Sequence, residues 1–296
     1  MKKGHHTVID TYDDFLTYRM DAVSKSLDEQ VALWQTSYMA KYPELLRKQI
    51  RTYREMKVNW QDIARRIIQL IPRRLRSMQE ARENLLQICE TLFAKAAQKL
   101  GLDFDIVFVI YIGIGCGAGW ATVYKKKPAV LIGLENIAQE KWHKKKKLEG
   151  LICHEIGHLA HMKWRNEWTS FEKAEDNPMF RLYSEGFAQR CEEIILRRKT
   201  WHFEPNRNWR VWCEQRKSWL ANEFLKRLER QASVNEFFGS WFNIEGKKQT
   251  GYFLGHTFIR HLEETSSLRE IALFNPINVT KLGFQYLKSV RNEKTR

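Results

Sequence analysis

The sequence has little of what typifies disulfide-rich, membrane-spanning or secreted proteins. Its 296 residues include only five cysteines, an odd number with no C-x-x-C pair, which favours reduced thiols over a disulfide framework. The most apolar stretch, residues 106–121, is interrupted by glycines and is shorter than the roughly 20 residues of a membrane span. The N-terminus lacks the apolar core of a signal peptide. We therefore expect a cytoplasmic protein without a membrane span.

Apolar and basic residues, by contrast, are plentiful. The apolar fraction of 43% is enough for a substantial core, and 50 basic against 35 acidic residues give a formal net charge of +15. Basic runs at residues 73–76, 125–127 and 144–147 could meet nucleic-acid phosphates or an anionic membrane. Because no RNA-recognition, helix-turn-helix or zinc-finger pattern accompanies them, we interpret them as solvated faces, with attraction of acidic peptides as the alternative.

Hydrophobic spacing divides the chain into helical and extended segments. Apolar residues recur at three- and four-residue intervals over residues 27–100, which predicts helices, with a break at Pro72 and an end at Gly101. Two β-branched runs, residues 105–112 and 129–134, predict strands of one sheet. Further helices are predicted over residues 145–163, 183–198, 211–230 and 252–264, with a loop over residues 164–178. A small sheet in so helical a chain predicts a predominantly helical α+β fold.

A glycine-rich segment, residues 113–119, follows the first predicted strand. Its sequence, GIGCGAG, lacks the spacing of a dinucleotide-binding turn and the Lys-Ser/Thr ending of a phosphate-binding loop. We interpret it as a hairpin in which backbone segments approach closely.

The strongest chemical signal is His154-Glu155-Ile156-Gly157-His158, an H-E-x-x-H motif inside a predicted helix. Residues four apart share a helix face, so both imidazoles can reach one ion while Glu155 projects beside it. Two imidazoles and a carboxylate are a typical ligand set for one Zn²⁺ ion with a position left for water. The metal would lower the pKa of that water, and Glu155 would accept its proton.

The third ligand is not fixed by the motif itself. Trp164 stands where a metzincin would place its third histidine. His161 lies on nearly the same helix face, as a possible ligand or as a partner of one. Glu185, in the segment SEGFA, is the better candidate, because the intervening chain is long enough for a loop and a returning helix.

H-E-x-x-H followed by S-E-G-F-A resembles the gluzincin zinc metallopeptidases, whose aminopeptidase-N-like members carry N-E-G-F-A. It is also similar to uncharacterised bacterial predicted zinc-dependent proteases. The resemblance covers roughly residues 105–264 and implies that His154, His158 and Glu185 bind zinc and that Glu155 is the catalytic base. It also implies that Glu192 supports a ligand.

The resemblance extends to substrate binding. Residues 133–136, GLEN, are similar to the G-x-M-E-N strand of aminopeptidases, with Leu in place of Met. This similarity implies an edge strand that pairs with an extended peptide. We do not assign Glu135 a role in binding the amino terminus of a substrate from this similarity. Tyr252 is the first candidate to stabilise the oxyanion, His256 the second, and Tyr183 a further alternative. Ordinary core packing is the competing interpretation of such tyrosines.

Together these observations predict a zincin-like peptide hydrolase with one zinc ion and a peptide or protein substrate. The expected organisation is an N-terminal helical domain (1–100), a metallopeptidase domain (101–264) whose edge strand packs on the H-E-x-x-H helix, and a C-terminal extension (265–296). Two alternatives remain open: a catalytically inactive zinc-binding regulatory module, and a basic nucleic-acid-binding protein with a coincidental H-E-x-x-H.

Overall fold

The computed structural model describes residues 4–199, 201–204, 206–239 and 241–293. The strands are β1 (His6–Asp10), β2 (Ile106–Tyr111), β3 (Gly119–Tyr124) and β4 (Lys127–Gly133). The helices are α1 (Tyr12–Ala22), α2 (Leu27–Leu33), α3 (Pro43–Glu55), α4 (Trp60–Leu100), α5 (Leu134–Gln139), α6 (Lys145–Arg165), α7 (Phe171–Ala174), α8 (Pro178–Leu196), α9 (Arg207–Gln215), α10 (Lys217–Glu229), α11 (Thr250–Leu262), α12 (Leu268–Ala272) and α13 (Pro276–Asn292). The predominantly helical α+β class is confirmed.

Two units, residues 1–155 and 156–296, divide the chain at a point inside helix α6. The first unit contains the sheet, in the order β1-β2-β4-β3. Strands β1, β2 and β4 are parallel, and β3 pairs antiparallel with β4 at the edge. Every residue of β2 is buried, as expected for a central strand covered on both faces. Both predicted strands are therefore confirmed as neighbours in one sheet.

The tight hairpin joins β3 to β4 rather than following β2. Its turn consists of Lys125 (φ 48°) and Lys126 (φ 62°), both left-handed as a two-residue hairpin turn requires. The glycine segment 113–119 instead carries the chain from β2 past β4 to the edge strand. It does approach other groups closely, because a Cβ on Gly113 would lie 2.6 Å from Gln49 Oε1 and 2.8 Å from Glu135 Oε1.

The predicted break at Pro72 is wrong, because Pro72 lies inside the continuous 41-residue helix α4. Proline removes one backbone hydrogen bond, but buried side chains on both sides of it, among them Ile68, Ile71 and Met78, hold the helix against the core. The helix ends where predicted, at Gly101, which adopts the left-handed conformation (φ 64°).

The second unit is helical, which confirms the helical C-terminal part of the predicted fold. The segment predicted as one helix over residues 211–230 forms two helices, α9 and α10, separated at Arg216. The predicted loop over residues 164–178 contains the short helix α7. Helix α8 packs against α11 and α13, and a Cβ on Gly283 of α13 would lie 2.2 Å from the sulfur of Met179.

Membrane-spanning helices are absent from the part of the chain that the structure describes, since no helix there combines the required length and apolar character.

Candidate metal centre

His154 and His158 lie one turn apart on helix α6, and their residues are 2% and 8% exposed. The helix spans Lys145–Arg165, so the predicted helix over 145–163 is confirmed. Helix α6 carries both histidines. Both imidazoles therefore lie on one face of α6.

Glu185 on helix α8 is the third member of the group. Its Oε2 lies 3.4 Å from Nε2 of His158, and the two side chains are 13% and 11% exposed. One ligand atom each from His154, His158 and Glu185 lie within 4.8 Å of one another. The structure thus brings together the three residues that the sequence singled out as metal ligands. Two imidazoles and a carboxylate at this separation match the donor set that zinc prefers.

Helix α8 begins at a strong local signal and packs closely on α6. The Asn177 side chain accepts hydrogen bonds from the backbone N–H groups of Met179 (2.9 Å) and Phe180 (3.1 Å), and Pro178 occupies the first turn. Gly157, inside the H-E-x-x-H motif, leaves room for α8: a Cβ there would lie 2.8 Å from Cys191 Cβ. The small residue between the histidines therefore sets how near the Glu185 helix approaches.

The Nδ1 atom of His158 faces Ser184, which precedes Glu185 in the chain. Ser184 Oγ lies 3.3 Å from His158 Nδ1 and donates a hydrogen bond to Glu175 Oε1 at 2.5 Å. Burial raises the pKa of Glu175, while the nearby His158 opposes that rise and the neighbouring Glu185 adds to it. Sequence reasoning missed Ser184 and Glu175, because no local pattern links a loop carboxylate to a helix nine residues later.

Glu155, the candidate base, is fixed against the edge of the sheet. Its Oε2 accepts a hydrogen bond from the backbone N–H of Ala121 in β3 at 2.9 Å, and the residue is 7% exposed. Gly119 permits this approach, because a Cβ there would lie 2.5 Å from Glu155 Oε1. The predicted packing of an edge strand on the H-E-x-x-H helix is confirmed.

His154 belongs to a second group as well, with Glu192 and His202. All three residues of this group are buried, and His202 Nδ1 lies 2.9 Å from Glu192 Oε2. A pairing between Glu192 and His202 is consistent with the supporting role expected for Glu192. No sequence pattern pointed to His202, which lies in an irregular segment after α8.

The candidate oxyanion residues belong to neither of these groups. The Tyr252 ring packs 4.7 Å from that of Phe203. His256 Nε2 lies 2.9 Å from Glu193 Oε2, and its ring meets Trp201 edge-on at 4.9 Å. Burial alone would raise the pKa of Glu193, but hydrogen bonds and charge from His256 and Arg190 outweigh it, so that this pKa is lowered.

The further alternative, Tyr183, is fully buried and donates its hydroxyl hydrogen bond to the backbone oxygen of Ile271.

His161 is a core residue and is in neither ligand group. It is fully buried, with its ring stacked on Phe187 at 4.2 Å and edge-on to Phe171 at 4.8 Å and Tyr183 at 5.0 Å. Burial lowers the pKa of His161 well below its usual range, so the imidazole is neutral.

Glu135, in helix α5, is bonded to the backbone of the glycine-rich segment. Its two carboxylate oxygens accept hydrogen bonds from the N–H groups of Gly113 (2.8 Å) and Gly115 (3.1 Å), and it is fully buried. Burial raises the pKa of Glu135. An internal carboxylate therefore takes the amides that a bound phosphate would need, which argues against a nucleotide-binding loop at residues 113–119.

The chain matches no protein-family model, no curated protein and no solved structure.

Proposed function

We propose that this protein is a cytoplasmic, gluzincin-type zinc metallopeptidase in which His154, His158 and Glu185 hold one zinc ion. The observation that carries the proposal is the convergence of these three ligand atoms within 4.8 Å. Three protein ligands of this kind leave one coordination position for water, as in catalytic rather than structural zinc sites. The five free cysteines support a reducing compartment.

The group containing Glu185 suits catalysis better than the group containing Glu192. Glu185 and His158 retain 13% and 11% side-chain exposure, whereas Glu192 is fully buried. A hydrolytic site needs access for water and substrate. Glu192 and His202 also pair with each other, since His202 Nδ1 lies 2.9 Å from Glu192 Oε2.

When bound, a zinc ion would supply Lewis-acid polarisation of the scissile carbonyl and would activate water for attack. Glu155 is the general base of the proposal. The Ala121 N–H holds its Oε2, and the carboxylate would accept the proton and pass it to the leaving nitrogen. A hydrogen bond from a backbone amide fixes the carboxylate direction without neutralising it.

The proposed substrate is an extended peptide that pairs with edge strand β3. Extended peptides can add to the edge strand of a sheet, and β3 is an edge strand that borders Glu155 directly at Ala121. Because Glu135 is committed to Gly113 and Gly115, the proposal does not give it a role in holding a substrate amino terminus. Tyr252 and His256 remain the proposed candidates for oxyanion stabilisation.

The test compares the wild-type protein with Glu155→Gln and Glu185→Gln, using metal analysis and hydrolysis of a mixed peptide library. The wild type should carry one zinc per chain and cleave peptides. Glu155→Gln should keep the zinc and lose cleavage by at least ~100-fold, the usual size of a general-base contribution. Glu185→Gln should lose zinc. Asp176→Asn, an exposed carboxylate near the site, is the matched control and should change neither property.

Each alternative has its own outcome in this experiment. Stoichiometric zinc without cleavage by the wild type would favour the inactive regulatory module. Absence of zinc together with salt-sensitive nucleic-acid binding would favour the basic binding protein and overturn the proposal.

A further inference from the structure

Consecutive residues of helix α8 contact the two nitrogens of one imidazole. Glu185 Oε2 lies 3.4 Å from His158 Nε2, and Ser184 Oγ lies 3.3 Å from His158 Nδ1. Neighbouring side chains on a helix point about 100° apart, so Glu185 and Ser184 on one turn of α8 can contact different edges of the His158 ring. Ser184 is fully buried, and its hydroxyl reaches onward to Glu175.

We infer that Ser184 and Glu175 are positioning residues, which hold His158 as the tautomer protonated on Nδ1 and leave the Nε2 lone pair for a metal ion. The consequence for zinc affinity rests on the proposed function. The tautomer itself does not, because it follows from the hydrogen bonds within residues 158–185.

The direction of the hydrogen bonds follows from counting protons. A serine hydroxyl has one proton to donate. Ser184 Oγ donates this proton to Glu175 Oε1, at a separation of 2.5 Å. With its proton directed to Glu175, Ser184 can only accept from His158, so Nδ1 must carry the hydrogen.

The position of Glu175 in the chain explains how it supports the site. It directly follows the short helix α7, in the connection between the helix with the two histidines and the helix with Glu185. Folding of this connection therefore places the Glu175 carboxylate next to Ser184, on the Nδ1 side of His158. Partners of this kind orient metal-binding histidines, and their loss typically lowers metal affinity 10- to 100-fold.

The first test is a measurement of the wild type in the absence of zinc. Proton–nitrogen correlation spectra of ¹⁵N-histidine-labelled protein, at a pH where the imidazole is neutral, report which nitrogen carries hydrogen. His158 is assigned from the signal that disappears in His158→Gln. We expect hydrogen on Nδ1. Hydrogen on Nε2 alone, with Ser184 donating to Nδ1, would overturn the inference. Because no zinc is added, this result does not depend on whether the protein is a peptidase.

The second test measures zinc affinity by competition with a chelator. Ser184→Ala and Glu175→Ala should weaken zinc binding 10- to 100-fold and reduce the occupancy of the Nδ1-protonated form. Ser184→Thr, which keeps the hydroxyl, should restore most of the affinity, and Asp176→Asn should match the wild type. Circular dichroism identifies any variant that fails to fold.

Wild-type affinity and an unchanged tautomer in a folded Ser184→Ala protein would refute the positioning role. A wild type that binds no zinc, yet carries hydrogen on Nδ1, would refute the metallopeptidase proposal alone.

Discussion

Gly186 of helix α8 and Gly255 of helix α11 meet backbone to backbone. A Cβ on Gly186 would lie 2.1 Å from both the carbonyl carbon and the oxygen of Gly255, and a Cβ on Gly255 would lie 2.1 Å from the backbone oxygen of Leu182. Glu185 precedes the first glycine and His256 follows the second. The crossing of these two helices therefore fixes the helix that carries the proposed third ligand.

We predict that Gly186→Ala and Gly255→Ala each destabilise the protein, despite the better helix propensity of alanine. Overpacking of a side chain costs about 1–3 kcal/mol, and here the obstacle is backbone, which cannot rotate away. Urea unfolding measures the loss, and Gln69→Ala at an exposed position of α4 should leave stability unchanged within about 0.5 kcal/mol. Full stability of both glycine variants would show that α8 and α11 are not in contact as described.

Gly119→Ala should separate the base from the metal ligands. The added methyl would lie 2.5 Å from Glu155 Oε1, so the carboxylate must leave its bond to Ala121 or the strand must move. We expect peptide cleavage to fall by at least ~10-fold with zinc content unchanged, since a displaced base loses proton-transfer efficiency. Parallel metal analysis and kcat/KM measurements check this. Loss of zinc with intact Glu155 geometry would contradict the assignment of Gly119 to the base alone.

The cysteines should resist thiol reagents in the folded protein. Cys116 is partly exposed, but burial of its sulfur raises its pKa to about 12, and burial raises the pKa of Cys89 to the same value. From an ordinary value of 9.0, this lowers the thiolate fraction at neutral pH about a thousandfold. Ellman's reagent should label at most Cys116 in native protein and all five thiols in denaturant. Rapid labelling of several native cysteines would mean that their burial is wrong.

The local features of the fold were predictable, and the non-local ones were not. Helices α6 and α11 follow directly from apolar spacing, and Gly101 from its role at a helix end. Strand β1 was missed because its five residues find their partner in β2, a hundred residues later. The break predicted at Pro72 was wrong because helix propensity depends on the local sequence. Helix α4 is held together by buried side chains on both sides of Pro72, and their burial depends on the rest of the fold.

The candidate site shows the same division. The four-residue spacing of His154 and His158 predicts by itself that both side chains lie on one helix face, and Glu185 lies in a segment that resembles a known ligand motif. The bond from Ser184 to Glu175 and the pair of Glu192 with His202 join helix α8 to irregular segments on either side of it. Such pairs depend on how each connection folds, which residue spacing does not encode.

His161 provides a test of ligand assignment through the pH dependence of stability. Burial, followed by the charge of Arg165, lowers the pKa of this imidazole well below 6.5 in the folded protein. Below about pH 6.5 the unfolded chain therefore binds one proton more than the folded chain at this position, and stability falls as the pH falls. At most, this one residue contributes a slope of about 1.4 kcal/mol per pH unit.

His161→Phe removes that proton while keeping an aromatic ring in a cluster of aromatic rings. Between pH 6 and pH 5, the free energy of unfolding should fall by about 1 kcal/mol less for the variant than for the wild type. Each protein is referred to its own free energy of unfolding at pH 8. Urea unfolding with a chelator present measures this difference without a contribution from bound metal. Zinc content at pH 7.5 should equal that of the wild type, because His161 is in neither ligand group. Loss of zinc would instead make His161 a ligand, and parallel stability curves would show that its imidazole is not held neutral in the core.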